Sequence, residues 1–166
     1  MQSLTETLIR SSFVNASRKT VKDMTLPESF ERSAEADWAE LDYYGWRDPK
    51  FANRGYIVVP APDGGLIGAV LTQTESSPRS RAMCNWCRDV RLPNDVVFWA
   101  AKRAGSAGRR GASVGTLACL DFECSRNVRK DPPLPYDGYD LAAARERRIG
   151  ELASRVSGFV TDLLSD

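Results

Sequence analysis

Histidine is absent from the sequence. Without an imidazole the chain cannot build a nitrogen-rich catalytic zinc site, and no nucleophile and base pair is recognisable in it. Long apolar runs are missing too. None approaches the roughly 20 residues needed to cross a bilayer, and the first residues lack the basic-then-apolar order of a signal peptide, so a cytoplasmic protein with no membrane association is expected. Net charge is nearly nil, with 23 Lys and Arg against 22 Asp and Glu, which gives no overall field to draw nucleic acid or a lipid surface. Cysteine is scarce at four residues. In a reducing compartment a small, even set of cysteines points to metal rather than to cross-links.

What is present is the composition of an ordinary globular protein, 42% apolar and 27% charged over 166 residues, the length of one compact domain with little room for a second core. Charge is unevenly spread. Acids dominate from Lys22 to Asp48 (Glu28, Glu31, Glu35, Asp37, Glu40, Asp42), whereas from Arg79 to Lys130 the basic residues outnumber acids by roughly two to one or more. Both runs are open to reading as solvated faces, and the basic one is a candidate contact surface.

Helical spacing of Leu4, Leu8, Ile9 and Phe13 after Ser3 predicts an amphipathic helix ending near Asn15, with a break at Leu26-Pro27. A short helix is expected over Ala34 to Leu41, then a turn-prone stretch from Tyr44 to Pro49. Two strands, Gly55 to Pro60 and Leu66 to Thr72, flank Asp63-Gly64-Gly65 as a hairpin, and a second hairpin joins Asp95–Ala101 to Val114–Ala118 through the glycine-rich loop 105–112. A short helix should follow Cys124 through Arg129. After a stiff linker at Pro132, Pro133 and Pro135, Asp140 caps a last helix, Leu141 to Leu164, with a narrow stripe of Ile149, Leu152, Val156, Phe159 and Leu163. With barely two heptads, that stripe fits docking on the chain's own sheet better than a coiled-coil dimer, so a monomer is favoured and a dimer through this helix is the alternative. The expected organisation is one α+β domain over 1–135, including the N-terminal helix, and a C-terminal amphipathic helix over 136–166.

The chemistry lies in the cysteines. Cys84-Asn85-Trp86-Cys87 spaces two thiols as a tight knuckle requires, and Cys119-Leu120-Asp121-Phe122-Glu123-Cys124 supplies a second pair roughly thirty residues on. Four thiolates close a tetrahedron and leave no place for a reacting water, so the metal reads as one structural zinc; iron could occupy the same sulfurs, but zinc is the usual occupant. A redox role for Cys84 and Cys87 would need a thioredoxin-like strand-to-helix setting, whereas the residues after Cys87 lead into a strand. Knuckle, hairpin, then a helix starting beside the last cysteine is the order of a treble-clef zinc finger, here in an antiparallel sheet flanked by helices at both ends.

Two features of this region suggest contact with a partner. The loop between the cysteine pairs sets Gly105, Gly108 and Gly111 among Lys102, Arg103, Arg109 and Arg110, which suits an acidic surface or phosphates and equally a solvated hairpin tip; it lacks the Gly-Lys-Ser/Thr of a phosphate loop. Trp86, between two ligands, is either an exposed aromatic contact or part of the core.

These residues also carry a resemblance. The words Ile9-Arg10-Ser11-Ser12-Phe13-Val14-Asn15, Gly45-Trp46-Arg47-Asp48-Pro49, Ala82-Met83-Cys84-Asn85-Trp86-Cys87, Val114-Gly115-Thr116, and Cys119 to Cys124 followed by Ser125-Arg126-Asn127-Val128-Arg129 resemble the elongation-factor-G-binding proteins of the fusidic-acid-resistance type, specifically their C-terminal treble-clef zinc-finger domain and its short actinobacterial relatives. The resemblance implies zinc on Cys84, Cys87, Cys119 and Cys124, and binding of elongation factor G on or near the ribosome, with release of the factor in the resistance members and no bond-making chemistry. It implies that partner contacts come from the zinc-finger face, where Trp86, Arg109 and Arg110 are the candidates. The chain departs from the resistance proteins in lacking a long, separate N-terminal helical bundle and in ending on the helix Leu141 to Leu164. RNA or the ribosome itself is the rival partner for a basic zinc finger.

Overall fold

The computed structural model describes residues 1–32, 35–74, 82–91 and 93–165, with the side chains of 35 and 36 left aside. Its elements are α1 Glu6–Ser12, α2 Arg18–Asp23, α3 Glu35–Ala39, β1 Tyr44–Arg47, β2 Arg54–Pro60, β3 Leu66–Gln73, β4 Val96–Lys102, α4 Gly105–Arg109, β5 Ser113–Cys119, α5 Cys124–Arg129 and α6 Leu141–Leu164. The strands form one antiparallel sheet in the order β1-β2-β3-β4-β5. The two expected hairpins are both present, and the expected helices after Cys124 and Asp140 form; Asp140 accepts the Ala143 amide at 2.9 Å.

Alternation along the strands sorts the apolar side chains onto two faces. One face carries Ile57, Val59, Ala69, Leu71, Val97, Trp99, Ala101, Val114 and Ala118, and packs with the four cysteines and with Leu152, Val156, Val160 and Leu163 of α6. The stripe on α6 is therefore spent on the chain's own core. The opposite face carries Tyr44, Trp46, Tyr56 and Val58 beneath Leu4, Ile9, Met24 and Trp38 of the N-terminal segment. Its rings form a run, Trp38–Tyr44, Tyr44–Trp46 and Trp46–Tyr56, with centroids 4.9 to 5.0 Å apart.

Four expectations are corrected. Thr5, not Ser3, caps the first helix, its hydroxyl accepting the Leu8 amide at 3.3 Å. That helix stops at Ser12 because Phe13 to Asn15 turn extended and join the sheet: Val14 N–H donates to the Gly68 carbonyl, and Asn15 bonds both the amide and the carbonyl of Val70 and also the Lys102 carbonyl. Asn15 thus bridges β3 and β4, which pair at Thr72–Ala100 and Gln73–Trp99. Tyr44 to Arg47 is a strand, not a turn; alternate aromatics bury one face, which the turn-prone Gly45 and Pro49 obscured. The 105–112 loop holds the short helix α4, whose Ala107 is buried, while the Ala104 amide donates to the Leu163 carbonyl at 2.9 Å and Arg103 pairs with Asp162 at 2.8 Å. Gly108 is required there, since a Cβ would lie 1.8 Å from the Arg103 carbonyl oxygen. Helix α2, capped by Ser17, was not anticipated. Ala34, Arg79 and Arg81 lie outside the described residues.

Asp48, 2% exposed, explains much of the Gly45-to-Pro49 word. Its carboxylate accepts the Lys50 and Phe51 amides at 2.8 and 3.1 Å, ordering the turn into β2, and the hydroxyl of buried Tyr56 at 2.7 Å. Burial, followed by this hydrogen bond, pushes the Tyr56 phenol up to about 12. Asp48→Ala would leave these donors unpaired and is expected to lower stability by about 2 kcal/mol or more in urea unfolding, with Asp48→Asn recovering part of the loss.

Candidate metal centre

The sulfurs of Cys84, Cys87, Cys119 and Cys124 lie within 4.8 Å of one another, and all four residues are buried. Three local structures bring them there. The first is a knuckle at residues 84–88: the Cys87 amide donates to the Cys84 sulfur at 3.5 Å, the Arg88 amide to the Cys84 carbonyl at 2.9 Å, and Arg88 sits at φ 54°. The Asn85 amide donates to the Leu117 carbonyl at 2.8 Å and fastens this knuckle to the edge of β5. The second is the end of β5, which delivers Cys119. The third is the turn over Leu120–Glu123, with Phe122 at φ 57°, which sets Cys124 as the first residue of α5.

Cys84 and Cys124 sulfurs are 3.6 Å apart and those of Cys87 and Cys119 3.7 Å apart. Four sulfurs at about 2.3 Å from a tetrahedral zinc would be about 3.8 Å from one another, close to these two separations, so the cluster fits one structural zinc. Electrostatics agree. Hydrogen bonds from the neighbouring thiols, Cys119 first, hold Cys84 well below the ordinary thiol range and bring Cys87 down to about 7. Cys124 is pushed up by its hydrogen bonds to Cys119, Cys84 and Cys87. Four crowded sulfurs cannot all ionise unaided; a divalent cation removes that conflict.

Around the sulfurs the protein supplies donors and a dry wall. The Asn127 amide nitrogen, one turn into α5, lies 3.6 Å from the Cys119 sulfur and 3.8 Å from that of Cys87. Tyr43, buried, donates its hydroxyl to the Phe122 carbonyl at 3.2 Å; burial first, and the neighbouring Cys124 next, push its phenol well up. Helix α6 ties the parts together, with Arg155 donating to the Trp86 carbonyl and Arg148 to the Asn127 carbonyl, each at 3.0 Å. Arg129 closes the far end of α5, on Asp42 at 2.6 Å and Glu40 at 2.9 Å.

The structure therefore brings together all four predicted cysteines. It corrects the exposed-contact option for Trp86: at 2% exposure its ring packs against Tyr43, Phe122 and Phe159, with centroids 5.4 to 6.3 Å apart, and has no face to offer a partner. Arg109 and Arg110 are exposed at the end of α4, before the start of β5, whereas Cys119 lies at the other end of that strand. Sequence reasoning missed Asn127 as part of the site. The signal was there: three residues after Cys124 on a helix places its side chain on the same face as the ligand.

Knuckle, β4–β5 hairpin and α5, all contributing to one closed sulfur cluster, define a treble-clef zinc finger. The chain belongs to the FBP C-terminal treble-clef zinc-finger family, whose model matches residues 8–163. Among solved structures it is similar to one described as "Structure of the fusidic acid resistance protein FusC", at 22% identity and a TM-score of 0.48, over 66% of this chain and 47% of that one. The chain thus spans about half the length of that relative. No curated protein matches the sequence.

Asn127→Ala would remove the amide donor to two sulfurs. It is expected to weaken zinc binding about tenfold in a competition titration against a chromogenic chelator, and Asn127→Asp, which sets a negative charge beside the thiolates, by more.

Proposed function

We propose that this protein is a zinc-stabilised binding protein that associates with translation elongation factor G and promotes the factor's release from the ribosome, without bond-making chemistry of its own. The observation that carries the reading is the family match over residues 8–163, on a chain whose resemblance words are those of the elongation-factor-G-binding proteins. The closed sulfur site supports it, since a fully ligated metal offers no position for a substrate. So does the absence of histidine, which leaves no ordinary general base near neutral pH.

Release by binding needs selectivity between states. A protein that holds one conformation of the factor more tightly than another shifts the equilibrium toward the favoured one by that difference in affinity. Arg109 and Arg110, exposed at the last residue and C-cap of α4, are the proposed charged contacts. A cytoplasmic setting follows from this partner, and among the described residues no helix is long and apolar enough to cross a membrane. The burial of the α6 stripe within the chain supports a monomer.

The second reading is RNA or ribosome binding through the same basic region, favoured by the exposure of Arg109 and Arg110. Calorimetric titration of zinc-loaded protein with elongation factor G from the same organism, at two salt concentrations, separates the two. Saturable binding that weakens severalfold in Arg109→Ala/Arg110→Ala protein is the expected outcome. No binding to the factor, together with salt-steep binding to RNA alone, would replace the first reading by the second.

A further inference from the structure

The two faces of the sheet are covered unequally. Over β1 to β3 the face bearing Tyr56 and Val58 lies beneath the N-terminal segment. Continued across the register onto β4 and β5, that same face carries the cross-strand pairs Phe98–Leu117, Ala100–Gly115 and Lys102–Ser113. Phe98 is 37% exposed, and neither it nor the partly exposed Ala100 and Leu117 belongs to either core cluster. The Phe98 ring lies across Gly115, where a Cβ would come within 2.3 Å of it. A glycine here lets the ring lie down and form a low apolar shelf.

Beside that shelf, where β3 and β4 part, a groove of about 580 Å³ opens, lined by Ser17 and Thr20 of the N-terminal segment and by Arg54, Thr72 and Lys102 of the sheet. Asn15, Ala16 and Lys102 also line an adjoining hollow of about 350 Å³ that reaches Arg103 and Arg109. Among the described residues, no carboxylate lines either cavity. Two of the cations are engaged: Arg54 lies over the Phe51 ring, 4.6 Å from its centroid, and Arg103 pairs with Asp162. Lys102 and Arg109 stand exposed on the rim.

We propose that this shelf and groove are the surface on which the protein docks an acidic protein segment, with an apolar side chain of the partner on Phe98, Ala100 and Leu117 and its carboxylates against Lys102 and Arg109. The inference rests on the reading that the partner is a protein, and gives that partner's contact a chemistry. Charge complementarity selects an acidic occupant in a groove whose described lining holds cations and no acid. A nucleic-acid track would instead require a file of cations along a backbone with successive stacking rings, and among the described residues this surface offers one ring, Phe98, and two exposed cations, Lys102 and Arg109.

The test uses the full zinc-loaded chain, isotopically labelled, with amide spectra recorded on titration with three probes: an acetylated Glu-Glu-Leu-Glu-Glu amide, elongation factor G from the same organism, and a single-stranded RNA. The peptide is expected to shift amides around Thr20, Phe98, Lys102 and Ser113, and Lys102→Glu to abolish those shifts. Affinity for the factor should fall roughly tenfold or more in Lys102→Glu and severalfold in Phe98→Ser. Lys102 is solvent-exposed, so its reversal should leave zinc content and the rest of the spectrum intact. Peptide shifts elsewhere or none, factor binding indifferent to both variants, or a response to RNA alone, would each overturn the docking surface. Peptide binding at the groove without binding of the factor would retain the surface and remove the factor as its occupant.

Discussion

Four sulfurs within 4.8 Å of one another must share one divalent charge, and the C-terminal half of the fold is arranged around that requirement. To bring them together the chain takes two non-glycine residues into the left-handed region, Arg88 in the knuckle and Phe122 in the turn before α5. Such backbone persists only where the surroundings overdetermine it. At Phe122 the surroundings are visible. Its ring stacks on Trp99 at 5.1 Å and fills space above Gly45 and Gly55, where a Cβ would come within 2.7 Å of Phe122 atoms. The metal loop and the first two strands are thus cut to one another's shape. A side chain added at either glycine would displace the residue that positions Cys124.

The same reasoning turns the family's sequence words into physical roles. Gly45 makes room for Phe122, Asp48 holds the turn and the Tyr56 hydroxyl, Gly115 admits the Phe98 ring, Asn127 donates to two sulfurs, and Asn15 fills the gap between β3 and β4. Five short words far apart in the chain answer to one sheet and one metal. What this leaves over is a sulfur cluster that fits a fully ligated metal, and a half-covered sheet face with basic residues along its groove.

Much of this was legible beforehand, and the divisions are physical. Cysteine spacing announced the metal because ligand geometry is local and strict. The hairpins were legible through β-branched runs and turn glycines, and α6 through its period and its Asp140 cap. Illegible were the pieces whose conformation is decided by distant partners. Tyr44 to Arg47 becomes a strand only because β2 offers an edge, and α4 forms where α6 receives Ala104 and Arg103. Phe13 to Asn15 leave the helix because Gly68 and Val70 accept them. Trp86 read ambiguously because knuckle tips face outward in some fingers; here α6 covers this one, with Arg155 on its carbonyl.

The central claim is that this zinc finger is closed, with all four ligands sulfur. X-ray absorption at the zinc edge, on protein purified without added metal, tests it most directly. The account predicts a single shell of four sulfur scatterers at about 2.3 Å and no lighter neighbour. A mixed shell with oxygen or nitrogen at about 2.0 to 2.1 Å would show an open coordination position and contradict it.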